Sequence, residues 1–132
     1  MSVELRKGVE DAQIKRLGVV KEIGEQEALI KKRTQDEALA ISNIELLNKN
    51  MQGEITKEVV NLPLVIQYKE AISGNEAILS GVREAIFIAA ANINRGQKIL
   101  AEIDKWIKFH ENELEKYGKV IPFDRDRSQT SS

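Results

Sequence analysis

The stretch Ser73–Gly118, SGNEAILSGVREAIFIAAANINRGQKILAEIDKWIKFHENELEKYG, decides the fold class. Alternating steps of three and four residues from Leu79 meet Val82, Ile86, Ala89, Ile93, Gly96, Leu100, Ile103, Ile107, His110, Leu114 and Tyr117. Ten of these twelve are apolar, and a helix is the regular structure that puts such a series on one face. Ser73-Gly74-Asn75-Glu76 has the form of a capping box, in which a hydroxyl and a carboxylate satisfy the first orphan amides. At the other end, Gly118 suits the left-handed residue that closes a helix, and Pro122 opposes continuation. The pattern predicts a helix over about 75–117.

Upstream the same spacing recurs in Leu5, Val9, Ala12, Val19, Ile23, Ile30, Ala40, Ile44, Leu47 and Met51. Arg16, Gln26, Arg33 and Glu37 interrupt it, and Thr34-Gln35-Asp36-Glu37 is a second capping-box pattern. Pro63 stands between the two patterned arms. A proline disfavours helix at the residue before it and removes one backbone donor. The expected fold is all-α: a long antiparallel helical hairpin or helical bundle with coiled-coil-like packing, oligomeric. Its arms are expected at about 2–61 and 64–117, with breaks allowed near 33–35 and 73–75, followed by an extended or flexible tail over 119–132.

A reversal at Pro63 predicts facing pairs such as Ala40 with Ile86, Ile23 with Ile103, Val9 with Tyr117 and Ile30 with Gly96. It also sets Arg16 opposite His110. The competing layout turns at Ser73–Asn75 and gives a compact three- or four-helix bundle. Either way apolar side chains are left over. Ile78, Ala85, Ile99 and Trp106 form a second edge beside the main stripe, with Phe87 and Ile88 nearby; the first arm adds Leu17, Val20, Leu39, Ile41 and Leu46. A contiguous apolar edge is unusual on a lone soluble chain. Ile78, Ala85, Ile88, Ile99 and Trp106 are therefore the expected oligomer interface, with the protein itself and another protein of a larger assembly as partners.

Composition narrows the functional classes. The 132 residues are 42% hydrophobic and 31% charged, too apolar for a disordered chain. Net charge is −1, with no large block of one sign, so nucleic acid is not the favoured partner. There is no cysteine, hence no disulfide or thiolate metal site. The apolar run Ala85–Ala91 is far shorter than the ~20 residues of a membrane span, and its mixed charged surroundings do not suit an interfacial helix. It is expected to be the most deeply buried layer. The charged N-terminal residues lack the apolar core of a signal peptide, so no membrane partner is expected, and the setting is cytoplasmic or a soluble assembly.

No catalytic set emerges. His110 lies in a packing stripe without an oriented partner and nucleophile, and the position three before it is Ile107, which excludes the Glu-x-x-His pair of di-iron bundles. Gly74, Gly81 and Gly96 are isolated rather than grouped in a phosphate loop. No cofactor and no enzymatic activity are expected. Lys31-Lys32-Arg33 is a basic cluster that gives a competing reading, an oligomeric nucleic-acid accessory protein. Val120, Ile121 and Phe123 could dock the tail on a partner. The favoured function is a non-enzymatic structural, scaffold or adaptor subunit.

Overall fold

The structure is a computed structural model that describes residues 2–120, with side-chain surroundings for residues 3–116. Two helices, α1 (Ser2–Ile55) and α2 (Leu62–Val120), pack against each other as a hairpin, and no strand occurs among the described residues. α1 passes through 33–35 without a break, and α2 passes through Ser73–Asn75, so the chain does not turn there. Both capping patterns are used differently from expectation. The Thr34 hydroxyl donates to the Ile30 carbonyl at 2.8 Å, and the Asn75 amide to the Ala71 carbonyl at 2.8 Å. Each side chain bonds back to its own helix four residues earlier instead of starting a new one. Of the expected tail residues, Val120 ends α2, while Ile121 and Phe123 lie outside the described residues.

The reversal occupies residues 56–61, before Pro63. The Thr56 hydroxyl donates to the Gln52 and Gly53 carbonyls at the end of α1. Asn61 caps α2: its side-chain oxygen accepts the Leu64 amide at 3.2 Å while its carbonyl accepts the Val65 amide. Leu62 is helical, against the sequence expectation. Pro63 falls in the first turn, where its missing N–H has no intrahelical partner to lose. Glu54 closes the turn from inside. Its buried carboxylate accepts the Lys57 ammonium at 3.0 Å through one oxygen and the Asn61 amide at 3.1 Å through the other. Those bonds, the Lys57 one foremost, hold the Glu54 carboxyl below its ordinary range.

The chain divides into two compact units. Glu25–Ile93 contains the turn and buries Ala40, Val65, Ile72, Val82 and Ala89. Arg83 pairs with Glu37 at 2.9 Å in this unit, and Asn92 lies 3.4 Å from Gln26. The other unit combines the described residues up to Gly24 with those from Asn94. Its core is Val9, Ile103 and Ile107, with Ala12, Val19 and Leu114 packed against it. Each Val, Ile or Leu fully buried here contributes roughly 1.5–3 kcal/mol on leaving water.

The facing pairs differ from those expected. Gly96 receives Ile23 rather than Ile30, and Arg16 meets Asp104 at 2.7 Å rather than His110. Ile23 precedes Ile30 by one seven-residue repeat, and Asp104 precedes His110 by about as much. The cause is the earlier turn. A slip of one full repeat keeps the same faces together, so periodicity alone does not distinguish the two registers.

A second correction concerns Ala85–Ala91. Only Ala89, at 1% exposure, is deeply buried, whereas Phe87 is 75% and Ile88 52% exposed. A helix with one neighbour covers one stripe and leaves the rest of its circumference in water.

Two stability outcomes are expected. A Cβ on Gly96 would stand 2.8 Å from Ile23 Cγ1, whereas one on Gly18 meets nothing within 4 Å. In urea unfolding, Gly96→Ala therefore destabilises by about 1–3 kcal/mol. Gly18→Ala instead stabilises by about 0.5–1 kcal/mol through helix propensity. The Glu54 pKa is depressed on folding, so its stabilisation is present above the unfolded-state value and is lost as pH falls through the folded one. Wild type should exceed Glu54→Gln in stability at pH 7, and the gap should close on acidification below the ordinary carboxylate range. A gap independent of pH would show that the carboxylate charge is not what holds the turn.

Candidate functional site

In the turn-containing unit, the exposed apolar residues of one side gather around a cleft of about 250 Å³. Leu39 and Ala40 of α1 line it opposite Ile78 and Val82 of α2. Leu39 is 62% and Ile78 57% exposed. Leu46 follows Leu39 by seven residues and Ala85 follows Ile78 by seven, so each extends the apolar edge of its helix. Arg33 and Asp36 border the cleft and pair with each other at 3.2 Å.

That pairing bears on the basic cluster. Lys31 and Lys32 are exposed, but Arg33 is only half-exposed, with one guanidinium nitrogen on Asp36 and Nε buried without a partner. The sequence had no simple signal for this beyond the i, i+3 spacing of Arg33 and Asp36.

In the unit that holds the termini, Ile99 and Trp106 are partly exposed. Trp106 lies across Gly8, where a Cβ would approach its ring to 3.1 Å. Its other neighbour is His110, whose ring stacks on the indole with centroids 3.8 Å apart and planes 21° apart. His110 Nδ1 sits 2.8 Å from the Trp106 carbonyl. A carbonyl only accepts, so Nδ1 carries the proton in this bond. Phe109 meets the same imidazole edge-on at 5.1 Å. A cleft of about 300 Å³ beside Trp106 is lined by Ala12, Lys15, Glu102 and Ile103.

The five expected interface residues are divided between the two units. Ile78, Ala85 and Ile88 belong to the first unit, Ile99 and Trp106 to the second. Sequence reading passed over two contributors: Gly8, whose missing side chain admits Trp106, and Glu54, whose burial closes the turn. Gly8 could have been found only from the packed register. Glu54 was flagged by nothing but its place at the end of the first arm.

Among the described residues, no group of three or more His, Cys, Asp or Glu is placed to hold a metal ion. None of the described helices is long and apolar enough to cross a membrane. Compared with known proteins, the chain matches no family model, no curated protein and no solved structure.

Proposed function

We propose that the protein is a non-enzymatic structural or adaptor subunit that works by helix–helix association within a larger assembly. The observation that carries this reading is apolar surface left in water after the hairpin has closed. Among the described residues, Leu17, Leu39, Ile78, Phe87, Ile88 and Phe109 are each more than half exposed. Isolated surface hydrophobes need no explanation, but large ones recurring along both helices do.

The nucleic-acid reading has less behind it. Phosphate contacts gain affinity from several cations acting together, and Arg33 is engaged by Asp36.

Light scattering on the purified chain should give a mass that is a multiple of 14.9 kDa and falls on dilution. A folded chain that stays at its single mass across the micromolar range would overturn self-association. Filter binding to single- and double-stranded DNA at two salt concentrations should detect no retention even at low salt. Retention that weakens steeply as salt rises would revive the basic cluster.

A further inference from the structure

One face of α2 in the turn-containing unit carries no charge. Ala71, Gly74, Ile78, Gly81, Ala85 and Ile88 succeed one another at three- and four-residue steps, while Lys69, Glu70, Glu76, Arg83 and Glu84 lie elsewhere around the helix. The bulky members are in water: Ile78 is 57% and Ile88 52% exposed. Leu39 of α1 shares the cleft with Ile78 and widens the patch. Gly74 and Gly81 have open space where a Cβ would be, so the packing of their own chain does not require glycine at either.

We propose that this face binds the same face of a second copy, antiparallel, about a two-fold axis between Leu79 and Ser80. This inference rests on the association reading above and assigns it a surface, a partner and a register. In that register Ile78 seats over Gly81 of the second copy, Ile88 over its Ala71, and Ala85 faces its Gly74. Every large side chain meets a small one, twice by symmetry. A parallel two-fold pairing would set Ile78 on Ile78 and Ile88 on Ile88.

Charge selects the same register. The column flanking the apolar face reads Glu70, Ala77, Glu84, Ala91. Antiparallel pairing about this axis brings Glu70 beside Ala91 of the second copy and Glu84 beside its Ala77. A slide of one seven-residue repeat would bring Glu84 against Glu84 in one direction and Glu70 against Glu84 in the other. Like charges at contact are unfavourable, so both slides are selected against.

The chain has no cysteine, so a pair of single-cysteine variants tests the register directly. Full-length Ala85→Cys and Gly74→Cys are oxidised separately and as a mixture, with helicity followed by circular dichroism. The mixture should form disulfide dimers at least about 10-fold more than either variant alone, because position 85 lies near position 74 of the other copy and far from its own counterpart. No excess in the mixture, or self-linking of Ala85→Cys, would overturn the proposal. Light scattering on the unmodified chain separates the causes of failure. An oligomer without the cross-link overturns this face alone, and a monomer overturns the association reading too. Ile78→Glu, at an exposed position, should keep its helicity and raise the dissociation constant at least ~10-fold. An unchanged constant would count against the face.

Discussion

A helix that touches one neighbour can cover only one stripe of its surface, and most of what is observed here descends from that limit. Along α2, Ala89 is buried, yet Phe87 and Ile88, two and one residues earlier, stand in water. In the other unit Ile103 and Ile107 are buried while Trp106 and Phe109 remain partly exposed. A third or fourth helix would normally cover such positions, as in a bundle. The described residues form two helices, so in the reading proposed above the cover comes from another molecule. Each one covered would contribute roughly 1.5–3 kcal/mol, enough in combination to offset the entropy of association.

Polar groups set where the helices start and stop, and thereby which side chains meet. Glu54 ties Lys57 to the Asn61 amide, and Asn61 in turn caps α2 at Leu64. The reversal is thus completed before Pro63. Both units then show pairings displaced by about one repeat from those a turn at the proline would give. Gly96 accommodates Ile23 in this register. The surface ion pairs are weaker arbiters. Arg16–Asp104 and Arg83–Glu37 are solvent-exposed, and such pairs contribute about 0–1 kcal/mol each.

How much of this was legible in the residues follows from the range of each signal. The series from Leu79 to Leu114 is a long repeat at helical spacing, and it specified helix, face and the existence of a surplus edge. Ser73 and Thr34 misled because a hydroxyl three residues before a glutamate caps a helix only when the backbone leaves helical geometry there. Within a continuous helix the Thr34 hydroxyl bonds to its own preceding turn. Register was not legible, since a whole-repeat slip preserves every apolar match and only the loop chemistry of residues 54–61 separates the alternatives. The surplus residues Ile78, Ile88, Ile99 and Trp106 could be named in advance, because periodicity identifies what a single seam leaves out. Their division between two units could not, because compactness depends on contacts far apart in sequence. Arg33 likewise looked like a third cation beside two lysines until the short reach to Asp36 was seen.

The one histidine is held in a cluster of aromatic side chains. His110 spends its Nδ1 proton on the Trp106 carbonyl, its face on the indole and its edge on Phe109. Three ring systems held in contact form a stiff, partly exposed apolar block, and rigid aromatics are the residues on which protein interfaces most often concentrate their binding energy. The uncharged face of α2 differs in kind. It has little bulk, several small residues and two flanking glutamates, so in the pairing proposed above it would contribute close approach and discrimination between registers.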